Sequence, residues 1–239
     1  MEPNNRFAGD KPENIENKSL IIFVIDNSAS MTAGKMECVN NFLNNFYKSI
    51  QRGDSNPFPM DMLNKIELSI VTYSNTVQTL RRASHIKQRE VAPRIKRSTN
   101  SSTCAIAAIN EALDIVKERK EWYRETEQRY YRPQIYLFSA DGLTDNESEE
   151  YIALRNRVLE DYKHKGYHIF NTYIDSIVGS DTEYPKEICR LTVHSLYELA
   201  ETINMTGILP HDDISIISQK SEGEKIDISD ESWLGQFDV

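Results

Sequence analysis

The 239-residue sequence has no disulfide-type or metal-type cysteine spacing, no glycine-rich nucleotide loop, no long apolar run and no positive excess. Each absence removes a class of protein. Cys38, Cys104 and Cys189 lie far apart, and so odd and sparse a set suits a reduced compartment, not a disulfide framework. Met1 to Ser19 is polar with no apolar h-region, which predicts that it is not a secretory signal. No run approaches the ~20 apolar residues that span a bilayer, so a cytoplasmic protein is expected. With 28 Lys and Arg against 37 Asp and Glu, the net charge is −9. That balance argues against a nucleic-acid or anionic-membrane surface, since phosphates are held mainly by Lys and Arg. The cations from Arg81-Arg82 through Lys96-Arg97 read as a solvated loop or helix face.

What is present is an alternation of buried-strand and helix patterns. Leu20 to Ile25 is a continuous apolar run ending in Asp26, as in a parallel strand covered on both faces. Met36, Val39, Leu43, Phe46 and Ile50 form one helical stripe, closed by the breakers Gly53 to Pro59. Further strands are predicted over Ile66 to Tyr73, Thr76 to Leu80, Gln134 to Ser139 and His168 to Ile174, with a weak one near Val193 to Leu196. Arg82 to Asn100 has no clear pattern. Helices are predicted through Ile106 to Val116, from Glu147 to Lys165 with a cap at Gly166, and near Pro185 to Arg190 and Glu198 to Asn204. The alternation predicts an α/β fold with a mainly parallel central sheet and helices on both faces. Residues 1–18 read as a flexible leader and 19–210 as the folded domain. Residues 211–239 read as an extension with one added strand near Ile214 to Ile217 and a loose acidic tail.

In open parallel sheets ligands bind outside the carboxyl ends of the strands. The first strand delivers Asp26-Asn27-Ser28-Ala29-Ser30, the segment before the second long helix delivers Ser101-Ser102-Thr103, and the central strand delivers Asp141 to Asp145. These are hydroxyls and carboxylates without His or Cys, a hard-oxygen set that selects magnesium or manganese over zinc or copper. Asp26-x-Ser28-x-Ser30, Thr103 and Asp141-Gly142 together resemble the metal-ion-dependent adhesion site of von Willebrand factor A domains. The similarity covers Leu20 to Asn204. Within that family, Arg132-Pro133 leading into Tyr136 to Asp145, with Ile70 to Ser74, is most similar to bacterial A-domain proteins associated with tellurium resistance.

The resemblance implies a Rossmann-like three-layer sandwich whose mainly parallel sheet has one short antiparallel edge strand. It implies direct metal bonds from Ser28, Ser30 and Thr103, with Asp26 and Asp141 acting largely through water. Neutral hydroxyls leave the cation electrophilic, so a partner's Asp or Glu completes its coordination. The implied protein binds a protein partner and is not an enzyme. The family often has glycine where this chain has Ala29, Ser101 and Ser102; alanine fits if the local φ is negative.

Other readings compete. Asp26 alone is also a turn cap and Thr103 alone a helix N-cap, and some family members keep the fold with a vestigial metal site. A magnesium-dependent phosphoryl-transfer hydrolase would want a second carboxylate where Ser28 stands, and neither G-x-x-x-x-G-K-[ST] nor G-x-G-x-x-G is present. A serine hydrolase is disfavoured by the lack of G-x-S-x-G. His164 and His168 flank Gly166 and do not suit a metal pair. Trp122-Tyr123 and Tyr130-Tyr131 read as a half-buried helix end, Asp175 and Asp181 as a rim or a solvated loop, and Trp233, Leu234 and Phe237 as a docking peptide or an untethered terminus.

Overall fold

The structure, a computed structural model, describes residues 5–53, 58, 62–139, 148–164, 166–172, 188–189, 191–193, 199 and 202–203. All of these belong to one compact unit, Met1–Ile208. Asp141, Asp145, Asp175, Asp181, most of the segments predicted as helices near 185–190 and 198–204, and the extension 211–239 lie outside the described residues. In chain order the elements are β1 (Ser19–Asp26), α1 (Ala33–Arg52), α2 (Met62–Lys65), β2 (Ile66–Tyr73), β3 (Val77–His85), α3 (Ala105–Glu125), β4 (Gln134–Phe138), α4 (Glu149–Lys163), β5 (His168–Thr172) and β6 (Leu191–Val193).

The strands form one sheet in the order β3-β2-β1-β4-β5-β6. Among the described residues only β2 and β3 pair antiparallel; the other four pairs are parallel. Every residue of β1 is buried because the strand lies between two hydrophobic layers. Ile21, Phe23 and Ile25 face Val39, Leu43 and Phe46 of α1, while Leu20, Ile22 and Val24 face Ile109, Leu113 and Val116 of α3. Tyr151, Leu154 and Val158 of α4 join the second layer. Phe23 anchors the first, with its ring centroid 5.1 Å from Phe46 and 5.4 Å from Phe138 in edge-on contact.

Several expectations are corrected. β3 extends to His85, past Leu80, because its second half alternates inward through Arg81, Ala83 and His85. A charged residue at an inward position hid the strand. Arg81, expected in solvent, is buried, and its guanidinium donates to the carbonyls of Leu68, Ser84 and His85 and pairs with Glu90 at 2.9 Å. Those carbonyls lie beside the irregular register between β2 and β3, so the cation satisfies acceptors that the ladder leaves over.

Residues 5–17, expected to be loose, lie against α3 and β3. Phe7 is fully buried, with the guanidinium carbons of Arg82 and Arg119 4.6 and 4.7 Å from its ring centre. Arg6 pairs with Glu111 at 2.6 Å and Glu118 at 2.8 Å, and Trp122 Nε1 donates to the Asp10 carbonyl. One aromatic residue and one arginine overcome a polar composition.

Gly53 ends α1 in the left-handed conformation, φ 56°. Gly166 acts differently after α4: its N–H donates to the Asp161 carbonyl at 2.8 Å, and a Cβ there would sit 3.0 Å from that oxygen. The close approach accounts for this glycine. Trp122 and Tyr123 are buried, as a helix end packed on the core requires.

At the amino ends of the strands, Glu67 is 2% exposed and takes two 2.7 Å bonds from Arg119, itself 5% exposed, plus one of 2.6 Å from Tyr123 Oη. His85 Nε2 stands 3.7 Å from the same carboxylate, and its Nδ1 bonds the Ile66 carbonyl. Burial holds this imidazole below its ordinary pKa despite Glu67.

Candidate metal centre

The sheet topology places the site. β1 has β2 on one side and β4 on the other, so the strand order reverses between β1 and β4, the kind of point at which open α/β sheets bind ligands outside their carboxyl ends. The register aligns those ends: Asp26 pairs with Tyr73, and Ile25 with Phe138. β1, β2 and β4 therefore end at one level.

Asp26 is almost fully buried, and its Oδ1 accepts the Ser28 N–H at 2.7 Å, a local turn that folds the chain back over the strand end. That turn brings Ser28 Oγ, fully buried, to 2.9 Å from the Oγ of half-buried Ser30. Met31 N–H then returns to the Ser28 carbonyl, and α1 begins with Thr32 as its cap. The turn-cap role of Asp26 is real, and it is also what positions the two hydroxyls.

The neighbouring loops are tied to this turn. Asn27 N–H donates to the Tyr73 carbonyl, Ala29 N–H to Asn100 and Ser98 N–H to Asn27. Cys104 N–H donates to Ser74, fixing the start of α3 beside the end of β2. Thr103 is exposed and stands just before Cys104, which takes the N-cap position without any side-chain cap bond. Thr103 is therefore not the helix cap. Burial raises the pKa of the Cys104 thiol and the Asp26 carboxylate adds to the rise, so it remains a thiol near neutral pH and is no anionic ligand. Asp26, Ser28 and Ser30 are thus brought together, Thr103 lies on the adjoining loop, and Asp141 falls outside the described residues.

The donor set can be tested against the ion. Magnesium–oxygen bonds of about 2.0–2.1 Å in an octahedron put adjacent ligands roughly 2.9 Å apart. The Ser28–Ser30 spacing of 2.9 Å, set by the hydrogen bond between the two hydroxyls, is compatible with adjacent positions around a small divalent ion. Among the described residues no group of three or more His, Cys, Asp or Glu could hold a metal.

Ala29, Ser101 and Ser102 impose no strain. The only non-glycine residue with positive φ among those described is Glu127. Sequence reading missed the polar frame: Asn100 Nδ2 donates to Asn75 Oδ1 at 2.9 Å, and Asn27 Nδ2 to the Lys96 carbonyl at 3.1 Å. The signal was there, since Ser74-Asn75 directly follows a strand that ends level with β1.

A family model, the von Willebrand factor type A domain, matches residues 21–143. The chain belongs to that family, one that often mediates protein–protein interaction. Three similar solved structures are proximal thread matrix protein 1 from the mussel byssus, the ArnB paralog VWA2 from Sulfolobus acidocaldarius and the human COPII-coat protein Sec24c. Their identities are 13%, 16% and 11%, and their TM-scores 0.42, 0.41 and 0.45. They cover 81%, 80% and 81% of this chain, which in turn spans 46%, 45% and 33% of theirs. The mussel protein is also similar in a form described as having a zinc-occupied MIDAS motif, at 12% identity, TM-score 0.43, and 81% and 46% coverage. No curated protein matches the chain. Among the described residues no helix is long and apolar enough to cross a membrane.

Proposed function

We propose that this domain is a magnesium-dependent protein-binding module that grips a carboxylate of its partner. The observation that carries the reading is the Ser28–Ser30 hydroxyl pair, 2.9 Å apart and set over the carboxyl end of β1 by Asp26. In this reading Ser28, Ser30 and Thr103 bind the ion directly, and Asp26 and Asp141 hold its waters; manganese would serve in its place. When bound, the metal supplies an electrophilic position for an Asp or Glu oxygen.

The protein's own part is preorganisation. Burial of Asp26 and Ser28 and the bonds from Asn27 and Ala29 to neighbouring loops fix the turn before any ligand arrives. A carboxylate entering such a site becomes a charge-assisted contact at the centre of an interface. Hydroxyl ligands leave the ion's charge largely unneutralised, which suits holding an anion and provides no nucleophile or general base for turnover. The domain acts as a binder, not an enzyme. The likeness of Arg132-Pro133 and Tyr136 to Asp145 to tellurium-resistance A-domain proteins supports a cytoplasmic setting in a bacterial stress assembly.

Affinity capture tests the reading. A partner retained in magnesium should elute with chelator and should not be retained by Ser28→Ala or Asp141→Ala. Equal retention with chelator and by both variants would remove the metal from the interaction.

A further inference from the structure

Of the seven cations between Arg81 and Arg97, four have carboxylate partners. Arg81 pairs with Glu90, Arg82 with Asp10, Lys87 with Glu13 and Arg94 with Glu37. Arg89 has none among the described residues and stands beside Glu90, whose carbonyl holds Gln51 at the far end of α1. The other two are Lys96 and Arg97, both exposed and both without a carboxylate partner among the described residues.

These two are fixed to the metal turn. Asn27 Nδ2 donates to the Lys96 carbonyl at 3.1 Å, and Ser98 N–H to the Asn27 carbonyl at 2.6 Å. Arg97 Nη2 donates to the Ala29 carbonyl at 2.7 Å, between the two serines, and Ala29 N–H to Asn100 at 2.8 Å. A chain of net charge −9 thus carries two unneutralised cations directly beside its candidate metal ligands. An exposed Lys and Arg could remain anywhere at little cost; held by four hydrogen bonds against this turn, they form a positive rim.

We infer that the preferred partner is an acidic protein segment. One of its carboxylates takes the metal position and neighbouring Asp or Glu side chains meet Lys96 and Arg97. This rests on the metal reading above and adds to it the chemistry of the residues that flank the bound carboxylate. The rim also focuses attraction on one edge of a molecule that otherwise repels acidic surfaces, and ions screen that attraction over about 8 Å at physiological salt.

The test uses two synthetic Gly/Ser peptides, one with a single central Glu and one with that Glu flanked by two more. Binding is read by fluorescence anisotropy in magnesium and in chelator. An exposed ion pair is worth up to about fivefold in affinity, so two of them should make the three-glutamate peptide bind roughly two- to twentyfold more tightly. Added salt should shrink that advantage, and Lys96→Gln with Arg97→Gln should abolish it. Lys96→Gln alone, whose side chain makes no hydrogen bond or ion pair among the described residues, should lose part of it while leaving single-Glu binding and the magnesium-induced rise in melting temperature in place. Equal affinities, an advantage that survives the double variant, or binding of neither peptide by a magnesium-responsive protein overturns the inference and leaves the metal reading standing. Absence of any magnesium response overturns the metal reading, and the inference with it.

Discussion

Replacing Arg119 with methionine should destabilise the domain by roughly 3–5 kcal/mol, the usual cost of breaking one side of a buried ion pair. The structure sets the size. Arg119 and Glu67 are 5% and 2% exposed, joined by two 2.7 Å bonds, and the guanidinium also lies 3.8 Å from the centre of the Trp122 ring. Without it, Glu67 keeps only Tyr123 Oη as a close donor among the described residues, with His85 Nε2 3.7 Å away, too far for a hydrogen bond. Methionine refills most of the volume, so the loss reports the stranded carboxylate and not a cavity. For a domain of this size, roughly 2–4 °C of melting temperature accompanies each kcal/mol, giving a fall on the order of 10 °C. Urea denaturation with an unchanged slope would show that the native state has lost stability. Adding Glu67→Gln to Arg119→Met should recover at least half of the loss, because no buried charge then remains unpaired. A single variant within about 1 kcal/mol of wild type, or a double variant no better than the single, would refute this reasoning.

Stability should also fall as pH drops from about 7 toward 5. The folded pKa of His85 lies below its unfolded value of about 6.5, so the unfolded chain takes up the proton first. The contribution is complete above that value and is lost as pH falls below it toward the lowered folded pKa. His85→Gln should flatten this part of a chemical-denaturation pH profile, leaving the share due to His168, whose pKa burial also lowers; an unchanged slope would contradict the assignment. Gly53→Ala should cost about 1 kcal/mol, since its φ of 56° lies in the left-handed region, and a melting temperature equal to wild type would remove the cap from the account.

The parts of this fold that were legible in the sequence are those where composition and burial agree. Leu20 to Ile25 could only be a strand covered on both faces, and Asp26 at its end had to lie at the carboxyl edge. Asp26, Ser28, Ser30 and Thr103 stood out as candidates because they follow on a strand or precede a helix. What sequence pattern concealed were places where polar side chains do structural work. Arg81 reads as a surface charge until its carbonyl acceptors are seen, and it hid the second half of β3. Phe7 and Arg6 dock a segment whose average composition is that of a loose leader. The frame of Asn27, Asn75 and Asn100 depends on loops distant in sequence meeting in space, which no local pattern encodes.

The central claim is that hydroxyls placed at the carboxyl edge of the sheet hold a divalent ion, and magnesium titration of the melting temperature tests it most directly. At a concentration of 100 times the dissociation constant, binding to the folded state alone contributes about 2.7 kcal/mol, a rise of roughly 5–10 °C. Ser28→Ala and Ser30→Ala should each remove most of that rise, while Arg119→Met, altered at the other end of the strands, should keep it. A wild-type protein that does not respond to magnesium, or serine variants that respond as fully as wild type, would contradict the account.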